Sequence, residues 1–311
     1  MKRSLIKSVK KSSATIENRL PKSTHLELKK VLDSALATYH KKNWLSTDPV
    51  EYVHRFRNPH DQEAVALLAA VISYGNVKQI RGSIEQLLGR IASRYESPSV
   101  FIRAMGDPKG REMAESVLSG FVHRFTRDFE IAAWAAAIAQ AWQTHQTFGA
   151  FFLKGLESHV NIESAQIAMI DEIRTKSPLL KRSYLLTSPA EASPCKRWMM
   201  FLRWMGRHDE IDPGLWAGKR FTVAELGGKV LRPSQLVMPL DTHTGRLSQQ
   251  LQMTQRKSLN WKAALEVTDC LKQFDANDPI KYDFALMRVG MIESAAPRKK
   301  RERKNEKNEN P

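Results

Sequence analysis

The chain has 311 residues, enough for one large globular unit or two smaller ones, and its 42% hydrophobic content is ordinary for a packed core. Lysine and arginine number 49 against 33 acids, a formal net charge of +16, and much of that excess sits at the two ends. No apolar run is longer than that of residues 64–72, which is about half a membrane span. The basic N-terminus lacks the apolar segment of a signal peptide, and Cys195 and Cys270 fit neither a disulfide framework nor a zinc spacing. These features predict a cytoplasmic monomer with free thiols and no membrane segment, metal or cofactor.

Residues 1–24 read as a basic disordered arm: positions 1–12 carry five basic side chains and no acid. Such an arm attracts phosphate backbones without reading sequence. Helical patterning begins near His25. Asn58-Pro59-His60-Asp61 is a helix start, with proline in the first turn and an acid to complement the dipole. The helix that follows is apolar on nearly all sides and belongs in the middle of a domain. Tyr74-Gly75-Asn76 breaks it. Val77, Ile80, Ile84, Leu87 and Ile91 then form one stripe at helical spacing.

Residues 129–142 read as another buried helix, and helices over 163–174 and 195–206 flank a segment holding Pro178, Pro189 and Pro194. Residues 211–240 are rich in glycine and proline and read as irregular. Three further helices are expected, near 241–252, 260–273 and 280–289, before a second basic disordered tail at 297–311. No run alternates with period two and no repeat is present, so the fold class is all-α, with one helical unit over 25–296.

Asp241 follows an apolar, proline-containing segment and opens a helix, so it reads first as an N-cap. His243, Arg246 and Gln250 share one face, which suits phosphate contacts or plain solvent. In the segment 193–207, Lys196, Arg203 and Arg207 fall on nearly one face, opposite Met199, Met200 and the tryptophans. Lys196 beside Arg197 reads as a surface lysine; as a nucleophile it would have to lose its proton. The acidic turn 208–212 reads as a solvated loop and cap. Trp216 either packs in the core or lines a pocket where it stacks on a base. No Walker loop, dinucleotide fingerprint, nucleophile elbow or zinc motif occurs.

The segment PLDTHTGRL, residues 239–247, resembles the conserved-aspartate segment of the helix-hairpin-helix DNA glycosylases of the endonuclease III and adenine glycosylase type. Two weaker matches occur in the expected order. AVALLAAVISYGNVKQI (64–80) resembles their early buried helix and the turn that lies against DNA, and DPIKYDFALMRVG (278–290) resembles their late helix ending in glycine. The resemblance implies a two-lobed helical bundle with a cleft. It makes Asp241 the catalytic carboxylate at the base pocket, and Lys196 the Schiff-base lysine of the lyase branch. Ser73, Tyr74, Asn76, Arg197, Arg203, Arg207, His243 and Arg246 would meet DNA, and Trp216 would line the base pocket. The partner implied is duplex DNA with a damaged base, in the nucleoid.

Three departures stand beside it. The Gly-x-Gly hairpin before the lysine is replaced by Glu191-Ala-Ser-Pro194, the interval from Lys196 to Asp241 is longer, and no four-cysteine cluster motif follows the last helix. A closer resemblance is to an uncharacterised bacterial family of unknown function, through CKRWMMFLRWMGR (195–207), IDPGLW (211–216), PLDTH (239–243) and DPIKYDFAL (278–286). The expected function is therefore a DNA glycosylase, with or without AP-lyase activity. The alternatives are a non-catalytic DNA- or RNA-binding module on the same scaffold, or a helical adaptor for a protein partner.

Overall fold

A computed structural model describes residues 22–295, with side chains over 24–292. The two basic segments predicted to be disordered lie outside the described residues, except that residues 22–24 already belong to the first helix. The structure is all-α apart from one two-stranded hairpin. In chain order it comprises α1 (Lys22–Tyr39), α2 (Val50–His54), α3 (Pro59–Val71), α4 (Val77–Ala92), α5 (Pro98–Gly106) and α6 (Arg111–Leu118). The hairpin β1 (Val122–His123) and β2 (Thr126–Arg127) follows, then α7 (Asp128–His145), α8 (Phe148–Glu157), α9 (Ile162–Lys176) and α10 (Lys196–Gly206). The chain closes with α11 (Thr242–Gln250), α12 (Trp261–Lys272) and α13 (Asp283–Ala295). None of the described helices is long and apolar enough to cross a membrane.

Local chemistry sets these boundaries. Asn58 caps α3 by accepting from His60 N, Pro59 occupies the first helical position, and every residue from Asp61 to Val71 is buried. Helices α5, α6 and α8 pack around α7 and α9 packs on α8, while α1 and α11 pack on α13. Helix α10 lies against α3 and joins the two groups. One hydrophobic cluster runs through both.

Two buried polar hubs fix this arrangement. Glu63 on α3 is wholly buried and accepts from Trp142 Nε1 at 2.8 Å, Trp216 Nε1 at 2.7 Å, Phe148 N at 2.9 Å and Gly149 N at 3.0 Å. Burial pushes its carboxyl pKa up, and these four donors oppose that shift. The carboxylate thereby closes the N-terminal turn of α8, where the helix dipole favours negative charge. It also corrects the reading of Trp216 as a pocket residue. The indole is fully buried against Phe152 and Phe201, and its single donor is spent on Glu63.

The second hub holds Arg203 and Arg207, and corrects their assignment to a DNA-facing surface. Arg203 is 1% exposed, with Nε 3.1 Å from Asp212, a bond to Asp283, and Asp48 at 3.7 Å. Arg207 binds Asp278 at 2.9 Å, Asp209 at 2.8 Å and Asp212. His40 reaches Asp209 at 2.9 Å, so the network ties the end of α1 to α10 and to the approach of α13. Burial alone would raise Asp209, but the bond from His40 and the charge of Arg207 hold its carboxyl well below the usual range. The acidic turn is thus engaged with interior cations, and no group of three or more metal-ligating side chains is found among the described residues.

Candidate active-site cleft

The three motif regions meet at one cleft of about 690 Å³. Its walls are the turn after α3 (Ser73 to Val77), the entry to α10 (Ser193, Pro194, Lys196, Arg197) and the entry to α11 (Leu240 to His243). Tyr184, Met200, Met287 and Met291 are among the other residues that line it. A larger groove, about 770 Å³, runs along the alanine face of α7 and is edged by Glu112, Glu115, Asp128 and Glu172. None of the motif side chains reaches it, so the smaller cleft is the candidate site.

Asp241 is the N-cap of α11. Its Oδ1 accepts from His243 N at 2.8 Å, Thr244 N at 2.9 Å and Thr244 Oγ1 at 3.1 Å, and Thr244 Oγ1 accepts from Asp241 N in return. All of these bonds to the carboxylate fall on Oδ1, and Oδ2 takes none of them. Gly290 keeps α13 close behind this turn: a Cβ there would stand 3.0 Å from the His243 carbonyl oxygen. The glycine that ends the late motif therefore positions the aspartate of the earlier one.

Lys196 is the first residue of α10 and the one residue of that helix that is not buried. Its Nζ lies 3.5 Å from Met200 Sδ, and no carboxylate is within ion-pair distance of it among the described residues. The backbone entering the helix is strained. Ala192 and Cys195 both lie in the left-handed region, at φ 56° and 50°, and neither is glycine. Cys195 is buried, which pushes its thiol up to about 11, so it is inert in this position.

The remaining predicted residues divide. Arg197 lines the cleft but is 7% exposed, so its assignment as a phosphate contact is corrected. Its guanidinium is clasped between the rings of Tyr74, at 5.1 Å, and Tyr184, at 4.8 Å, and donates to the carbonyls of Val71 and Tyr184. With no carboxylate beside it, burial lowers its pKa. Ser73 is buried and donates back to Ala69 O at 2.7 Å. Tyr74 hydroxyl is committed to His123 O at 2.8 Å and to Thr126, while Asn76 Oδ1 caps α4 through Gln79 N. His243 lines the cleft; Arg246 is exposed on α11 outside the lining.

A family model described as "Protein of unknown function (DUF2400)" matches residues 48–292, more than half of the chain. The chain belongs to the DUF2400 family. Searches of curated proteins and of solved structures returned no match. The DUF2400 match spans α3, α10, α11 and most of α13, so the three segments that wall the cleft lie inside it. Sequence reasoning missed Tyr184, Met287 and Met291 as lining residues: the methionines enter the cleft through the packing of α13 on α11, and Tyr184 through its contact with Arg197.

Proposed function

We propose that this DUF2400 protein is a DNA glycosylase with AP-lyase activity, acting on a nucleotide flipped out of the duplex. The observation that carries the reading is that Lys196 and Asp241, separated by a long irregular segment, line one cleft, each at the start of a helix. The left-handed backbone at Ala192 supports it, since a residue at φ 56° suits a tight turn before the lysine-bearing helix. In this reading Asp241 uses Oδ1 to hold its own helix and Oδ2 to stabilise positive charge developing on the sugar. Lys196, as the free amine, forms the Nζ–C1′ bond while the C1′–N bond to the base breaks. The base leaves with that electron pair and takes up a proton, and opening of the sugar ring gives an imine on Lys196. Extrusion of the nucleotide into the cleft precedes this step.

The second reading, a nucleic-acid-binding module without chemistry, is favoured by one observation: the Gly-x-Gly hairpin before the lysine is replaced by Glu191-Ala-Ser-Pro194. Base release from duplexes carrying a panel of oxidised, alkylated and deaminated bases separates the two. The proposal expects release from at least one lesion by the wild type and none by Asp241→Asn. Tight, salt-dependent binding without release from any of them would establish the second reading.

A further inference from the structure

The hairpin between α6 and α7 carries a feature that the cleft does not use. Phe125, at its tip, is 69% exposed, and Tyr184 beside it is 51% exposed. Their rings meet edge to face at 6.2 Å, and Tyr184 continues to Tyr74 at 4.8 Å, on the cleft wall. Arg124 lies over the Phe125 ring at 5.5 Å. Arg124 and Arg127 flank Phe125 in the chain, Lys181 and Arg182 precede Tyr184, all four are exposed, and none of them has an ion-pair partner among the described residues.

The hairpin holds this geometry at a cost. Arg124 adopts φ 53°, a left-handed conformation that a non-glycine residue avoids, and Phe125 is thereby kept in solvent. The strands cannot relax to bury it. His123 is hydrogen-bonded to Ser83 Oγ at 2.7 Å and to Tyr74 O at 3.0 Å, and Tyr74 hydroxyl accepts from Thr126 N at 3.1 Å. The Arg124 side chain lies back over Gly75, where a Cβ would stand 2.8 Å from its Cδ.

We propose that Phe125 and Tyr184 form a stacking ledge for an unstacked nucleobase of the strand gripped by the surrounding cations. The proposal rests on the reading of the cleft as a nucleic-acid site. Aromatic faces interleaved with unpaired cations suit an unstacked base, because each base has a π-face and each nucleotide a phosphate. The ledge is continuous with the cleft through Tyr74, so a base held there would adjoin the one inside.

The test uses the full chain and fluorescence anisotropy at fixed salt. The probes are an intact duplex and the same duplex with a tetrahydrofuran abasic analogue, which frees the opposing base. Phe125→Ala weakens binding to the abasic duplex about tenfold, within the range for one base stacked on an aromatic ring. Phe125→Trp restores it, and binding to the intact duplex changes less than twofold. Equal weakening on both probes, or wild-type affinity of Phe125→Ala, overturns the ledge and leaves a protein partner as the occupant of these rings. Borohydride trapping on a third duplex carrying a true abasic site, whose C1′ aldehyde can form the imine, reads the cleft separately at saturating protein: Phe125→Ala is still trapped if only the ledge fails. No binding to either probe by the wild type overturns both.

Discussion

Asp241 does two things in this account, and two substitutions separate them. In alanine the Oδ1 acceptor is gone, so His243 N, Thr244 N and Thr244 Oγ1 lose partners at 2.8, 2.9 and 3.1 Å. Loss of such a cap costs about 1 kcal/mol, and loss of the charge at the helix N-terminus adds about 0.5 kcal/mol. Asparagine keeps an oxygen in the cap and loses the charge, so only the smaller cost of about 0.5 kcal/mol applies. For a chain of this size the difference of about 1 kcal/mol corresponds to roughly 2 °C in Tm, measurable by circular dichroism. Base release behaves otherwise, because the charge on Oδ2 is what the sugar cation needs. Both variants lose it by about 100-fold or more. Release that follows stability, nearly intact in Asp241→Asn and lost in Asp241→Ala, would refute the catalytic role and leave Asp241 a helix cap.

Ala192→Gly removes the strain of a left-handed alanine on an exposed residue and stabilises the protein by about 0.5–1 kcal/mol, the sign checked by urea titration; destabilisation would mean the turn is not strained. Arg203→Met leaves Asp48, Asp212 and Asp283 buried without their shared cation, and costs about 4 kcal/mol in the same titration. A loss under about 1 kcal/mol would show that the network rearranges around the gap. Asp209 has a folded pKa below its unfolded value of about 3.9, so its contribution is present above about pH 4 and lost as pH falls. Asp209→Asn therefore flattens the acid limb of the stability–pH curve below pH 4, and an unchanged limb would exclude this group from it.

The sequence made the long helices legible because their ends are written locally: Asn58, Asn76 and Asp241 all cap as residues of their type do. Helix α8 was not legible. It follows Thr147 directly after α7, and its cap is completed by Glu63, far back in the chain. Helices α5 and α6 are short, and the hairpin at 122–127 is too brief to show alternation. At the site, Lys196 and Asp241 line one cleft, a juxtaposition that their long separation in the chain leaves open. The misreading of Arg203 and Arg207 has a plain cause. Polar residues four apart on a helix look like a solvated face, and their partners Asp48, Asp278 and Asp283 come from distant segments that no local pattern links to them.

The central claim is covalent chemistry at Lys196. It is tested most directly by incubating the protein with abasic-site DNA and borohydride, then mapping any cross-linked peptide by mass spectrometry. The account predicts a stable adduct at Lys196 that disappears in Lys196→Ala. An adduct at another lysine, or none with protein that binds the same DNA, would contradict it.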